Sequence, residues 1–100
     1  MKVYVLVRKD LKLSNSAVQG GHALIELTQI CDIKDWAINH KTLVFLNVKS
    51  EGELLDYFNS CPHAEKAIFK EPDLNNEFTA MASLAKNKEE ERFFKRLQLL

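Results

Sequence analysis

A chain of 100 residues has room for one hydrophobic core and so for one domain, residues 1–100. Its 14 basic and 14 acidic side chains cancel, which excludes attraction to nucleic acid or membrane through net charge and leaves that role to local basic clusters. Cys31 and Cys61 form no Cys-x-x-Cys pair, the opening MKVYVLVRKD is too short in its apolar run for a secretion signal, and nothing approaches the roughly 18 apolar residues of a membrane helix; a cytoplasmic protein with buried free thiols and no membrane contact is expected.

Residues 2–8, KVYVLVR, are apolar and β-branched with little alternation, the pattern of a central strand covered on both faces. After KDLKL, Ser14 is the expected N-cap of a helix running to about Asp32, with Ser16 and Gln19 as a weaker capping box. At helical spacing, Ala17, Gly20, Gly21, Leu24, Ile25, Leu27 and Cys31 share one face, expected to be the core face; Gln19, His22, Glu26 and Gln29 share the other. Two inward glycines would let this helix approach the sheet closely, at a cost of roughly 1 kcal/mol each relative to alanine.

IKDWAINH predicts a short helix, and TLVFLNV at 42–48 a second buried strand. In SEGELLDYFNS, Ser50 is the N-cap and Glu53 its capping-box partner, Leu54, Leu55 and Phe58 form the apolar stripe, and Cys61 and Pro62 stop the helix. AEKAIFKE reads as a third strand and EFTAMASLA, 77–85, as a fourth, separated by the turn-rich PDLNN. Lys88 to Leu97 predict a last helix with Phe93, Phe94 and Leu97 inward. Alternating strands and helices favour parallel neighbours with right-handed crossovers, while the short final link allows an antiparallel pair. The expected fold is α/β: a four-stranded mixed β-sheet in a three-layer α/β/α sandwich.

Sites in such sheets form beyond the carboxyl ends of parallel strands. Those ends place Arg8, Lys9, Lys12, the start of the first helix, Lys70, Glu71 and Asp73 in one neighbourhood, cations that can grip phosphates beside a carboxylate that can activate water. Charged strand ends are common in any protein, so the cluster alone is not specific. His22 is a candidate that Gln19 and Glu26 could orient. Three histidines and two cysteines show no metal-ligand spacing beyond Cys61-Pro62-His63, the only paired glycines lie inside a helix, and no cofactor or metal is expected.

VLVRKDLKLS, AVQGGHA, ELL, EPDLNNEFTA and the terminal RLQLL occur in an order that resembles the type II peptidyl-tRNA hydrolase family over nearly the whole chain. The family's opening Arg-x-Asp-Leu-Lys-Met-Ser is matched at Arg8, Asp10, Leu11, Lys12 and Ser14. Its helix motif Ala-Ala-Gln-Cys-x-His-Ala is matched at Gln19, His22 and Ala23, and its Leu-rich end at Leu97, Leu99 and Leu100. The resemblance implies an α/β/α sandwich that dimerises and hydrolyses the ester between a peptide and the tRNA 3′ end. The family's Lys-Gly-Lys at the helix start reads Asn15-Ser16 here, and its Asp-Ala-Gly-Arg-Thr-Gln turn reads Glu71 to Thr79, with no arginine. Glu71, or else Asp73, takes the aspartate's place, and Thr79 that of the threonine if a gap is allowed.

The resemblance thus implies Glu71, His22, Lys12 and Thr79 as catalytic groups, with Arg8, Lys9, Gln19, Lys70 and Asp73 binding a peptidyl-tRNA substrate, in a homodimer. The missing lysine and arginine keep open a module that retains the fold and binds RNA or a partner without chemistry. Hydrolysis of another ester or amide is a third reading.

Overall fold

In the computed structural model, which describes all residues Met1–Leu100, the first strand, β1 (Lys2–Arg8), sends alternate side chains into two separate cores. Val3, Val5 and Val7 meet Ala23 and Leu27 of α1 (Leu13–Ile30); Tyr4 and Leu6 meet Leu54 of α2 (Glu51–Ser60) and Phe94. An unbroken apolar run needs cover on both sides, and α1 and α2 provide it. No helix is long and apolar enough to cross a membrane.

The sheet has four strands in the order β2-β1-β4-β3, with β2 (Leu43–Val48) parallel to β1 and β4 (Glu77–Ala85) antiparallel to both β1 and β3 (Glu65–Glu71). The fold is α/β with a mixed sheet, as the pattern predicted. Because β3 and β1 both run against β4, Arg8 and Glu71 end at the same edge, with the first residues of β4 between them.

The face of α1 differs from expectation. Its buried residues are Ser16, Gln19, Gly20, Ala23 and Leu27, whereas Ala17, Gly21 and Ile25 are exposed. Apolar residues surround this helix, so periodicity does not single out one side; hydrogen bonds that satisfy Ser16 and Gln19 turn those polar residues inward. Only Gly20 serves close approach: a Cβ there would meet the Phe45 ring at 2.5 Å, whereas one at Gly21 meets nothing within 4 Å.

Neither Ser14 nor the Ser16–Gln19 box caps α1. Lys12 occupies the cap position without a side-chain bond, and the Ser16 hydroxyl donates to the Arg8 carbonyl at 2.8 Å, tying helix to strand. The cap of α2 is as predicted, with Ser50 Oγ accepting from the Glu53 N–H at 3.2 Å. IKDWAINH closes as a π-helical turn, Trp36–His40, in which the Lys41 N–H reaches the Trp36 carbonyl at 2.7 Å.

The last helix is shorter than Lys88–Leu97: a single turn, α3 (Lys88–Glu91), is followed by a 3-10 turn, Arg92–Phe94. Phe93 and Phe94 both pack into the α2-side core, and the chain then extends to pair with β2, where the Asn47 N–H donates to the Gln98 carbonyl at 2.9 Å. Buried His63 links this segment to β4 through hydrogen bonds to the Ser83 hydroxyl and the Glu90 carbonyl. Cys61 is a buried free thiol and Cys31 a half-buried one.

Candidate active site

The pairing of β3 with β4 steps from Phe69↔Ala80 to Lys70↔Phe78, so Thr79 is an extra residue on β4. Such a bulge bends the strand and re-aims its side chain. Here it turns Thr79, fully buried, onto α1, where its hydroxyl donates to Gln19 Oε1 at 2.7 Å. Gln19 Nε2 donates to Glu71 Oε1 at 3.1 Å and to Asn15 Oδ1 at 3.2 Å. A carboxylate can only accept, which fixes the amide nitrogen toward Glu71 and leaves the amide oxygen for Thr79. One buried glutamine thus holds the Glu71 carboxylate at the tip of β3, and Glu71 Oε2 takes no bond from the chain.

Glu77 lies directly across the ladder from Glu71. Facing carboxylates repel, and Arg8 offsets the second: its Nη1 donates to Glu77 Oε1 at 2.7 Å and to the Phe78 carbonyl at 3.2 Å, while Nε and Nη2 grip Asp10 at 3.0 and 2.7 Å. The Arg8 bonds hold the Asp10 carboxyl below its ordinary range, and the two carboxylates, Asp10 foremost, hold the buried guanidinium firmly charged. Arg8 is therefore a positioning residue. Four of its five N–H donors are taken up by these bonds, which leaves one Nη2–H for any contact with substrate.

The other candidates separate by face. Lys12, at the cap position of α1, is exposed one turn before Asn15 and two before Gln19, at the end of the helix that meets Glu71. His22, one turn beyond Gln19, stacks on Phe69 with ring centroids 4.5 Å apart and planes 11° from parallel. It forms a flat, exposed wall and makes no hydrogen bond to the cluster. Asp73 is exposed in the 3-10 turn Pro72–Leu74, also without a bond to the cluster, so Glu71 is the carboxylate that the structure builds in.

Lys70 and Lys9 do not join this cluster. Exposed Lys70 has its Nζ 5.3 Å from the centroid of the Phe78 ring, which packs against the α2-side core, because alternation sends 69 and 71 to one face and 70 to the other. Lys9 lines a groove with Tyr57 of α2 and Arg96. The sequence reading missed Asn15, whose helical spacing to Gln19 was the available signal, and Glu77, whose role exists only across the ladder.

A carboxylate with one oxygen anchored and one open, beside a buried hydroxyl–amide relay, suits hydrolysis of an ester by activated water. No three His, Cys, Asp or Glu side chains converge as a metal cage. No curated protein sequence matches the chain significantly. The sequence model of the family described as Peptidyl-tRNA hydrolase PTH2 matches residues 1–100, the full span that forms this sheet and this cluster. The chain therefore belongs to the type II peptidyl-tRNA hydrolase family.

Proposed function

We propose that the protein hydrolyses the ester joining a peptide to the 3′ end of tRNA, with Glu71 as general base. The observation that supports this best is the 3.1 Å bond from buried Gln19 to Glu71 Oε1, which orients the carboxylate and leaves Oε2 open. In this reading Glu71 takes a proton from water as the water oxygen attacks the ester carbonyl. Lys12 and the first N–H groups of α1 stabilise the oxyanion. The tetrahedral intermediate then collapses, the C–O bond to the ribose breaks, and the departing oxygen takes the proton from Glu71. Thr79 holds the amide of Gln19, and His22 on Phe69 forms a flat wall for the substrate. Catalysis needs no metal or cofactor in this scheme, and a tRNA substrate sets the reaction in the cytoplasm.

Release of peptide from an N-blocked aminoacyl-tRNA by the purified protein tests the reading. Glu71→Gln keeps the shape and is expected to lose about 10²-fold or more in turnover. An inert wild type, or a variant as fast as the wild type, overturns it. One observation favours a second reading, an RNA-binding module without chemistry: Asn15-Ser16 in the first turn of α1 stands where the family has Lys-Gly-Lys, while Arg8 is committed to Asp10 and Glu77. That reading expects salt-sensitive tRNA affinity with no turnover.

The proposed assembly is a homodimer through α1. This helix of 18 residues has one charged side chain, Glu26, and exposes Val18 and Ile25 by 56% and 61% on either side of Gly21. An uncharged stripe interrupted by a glycine suits contact with its own copy, because an isologous interface places each residue against a symmetry mate and like charges there would repel.

A further inference from the structure

A groove of about 330 Å³ opens beyond the carboxyl ends of β1 and β2, on the α2 side of the sheet. Lys9, Lys49 and Arg96 line it, together with Asn47, Tyr57 and Gln98. All three cations are exposed, and none takes part in an ion pair. The one carboxylate in the lining, Glu53, accepts the backbone N–H of Lys49 at 2.9 Å and so serves the start of α2. In a chain whose charges sum to zero, three unpaired cations in one groove mark a local anion site. Asn47 ties the floor of the groove to the C-terminal segment, its Nδ2 donating to the Leu99 carbonyl at 3.0 Å.

The groove and the Glu71 cluster lie along the same edge. Glu71 ends β3, one outer strand, and Lys49 follows β2, the other. In the plane of the sheet three strand spacings separate them, roughly 14 Å, and because the groove opens on the α2 side while Glu71 turns to α1, a strand joining them must also round the edge of the sheet. Stacked nucleotides advance by about 3.4 Å per phosphate along one strand, so the in-plane interval alone takes about four nucleotides and the turn over the edge takes more.

We infer that this groove binds the sugar–phosphate backbone of single-stranded RNA a few nucleotides upstream of the 3′ end whose ester reaches Glu71. Phosphate oxygens meet Lys9, Lys49 and the forked guanidinium of Arg96. The inference rests on the proposed hydrolysis for the identity of the RNA, and Lys9 acquires its role here instead of beside Glu71.

The triple variant Lys9→Ala, Lys49→Ala, Arg96→Ala alters exposed side chains only. Its affinity for deacylated tRNA is measured across a salt series, beside hydrolysis of N-acetyl-aminoacyl-tRNA and of N-acetyl-aminoacyl-adenosine, which has no upstream phosphates. Affinity is expected to fall at least tenfold and the slope of log K against log salt by about 2, three contacts at about 0.7 each. KM for the tRNA ester rises while turnover of the adenosine ester is unchanged. The control variant Lys34→Ala, Lys41→Ala, exposed on another part of the surface, retains wild-type affinity.

Wild-type affinity and salt slope in the triple variant, or no tRNA binding by the wild type, overturn the inference; continued hydrolysis in that case leaves the Glu71 reading intact. Loss of affinity in the variant, with neither protein hydrolysing either ester, supports the groove and sinks the hydrolase.

Discussion

A methyl group at position 20 would lie 2.5 Å from the Phe45 ring and 3.0 Å from Val7 Cγ1, and both neighbours pack on the α1 side of the sheet. Alanine there must push helix and sheet apart, whereas alanine at position 21 projects into open space. Two adjacent glycines therefore respond with opposite sign. Gly20→Ala is expected to lower stability by about 1–3 kcal/mol through overpacking, and Gly21→Ala to raise that of the dilute monomer by up to about 1 kcal/mol through helix propensity. Urea denaturation of both variants at low concentration checks this, and equal effects would show that α1 is not seated on Phe45. The sequence raises the glycine question but not its answer, because the deciding atoms belong to Val7 and Phe45, 13 and 25 positions away.

Elements whose determinants are local could be read from the sequence, and those that depend on distant partners could not. The cap of α2 is written within Ser50–Glu53, and β1 within its own apolar run. The inward side of α1 depends on Thr79, 60 residues after Gln19, and on a bulge that no composition announces. The C-terminal segment leaves its helix early because β2 offers free N–H and C=O groups to Gln98 and Leu100. The ends of β1 and β4 depend in the same way on a distant partner, through the bridge from Arg8 to Asp10 and Glu77.

This clamp carries an acid dependence with a definite sign. The Asp10 carboxyl is depressed in the folded chain, so its contribution is complete above its unfolded value of about 3.9 and is lost as pH falls through the lower folded value. Stability should therefore decline as pH drops below about 4. Asp10→Asn should be less stable than wild type at neutral pH and should lose part of that decline. Thermal unfolding of both proteins between about pH 6 and pH 2.5 measures the difference, and parallel curves would remove the bridge from the account.

The arrangement of the strands brings the chemistry to one edge. The order β2-β1-β4-β3 puts the tips of β1 and β3 on either side of the start of β4, and this juxtaposition turns residues 8, 71, 77 and 79 into neighbours. Strand–helix alternation was enough to predict the mixed sheet and the edge, but side chains at that edge divide between two faces according to pleat and bulge. Glu71 and Lys70 therefore part company although they are adjacent in sequence.

The same architecture commits the buried side of α1 to the sheet and leaves Val18 and Ile25 facing outward with no cover in the monomer. If a second copy covers them, light scattering at micromolar concentration should give twice 11.5 kDa. Val18→Asp combined with Ile25→Asp should then give 11.5 kDa, because each copy would bring like charges into a self-facing stripe. Both positions are exposed, so the substitutions leave the monomer core intact, and the far-ultraviolet spectrum of the variant should match the wild type. A wild type that stays at 11.5 kDa would mean that the exposed stripe of α1 has no symmetric partner. A double variant that remains dimeric would place the interface on another surface.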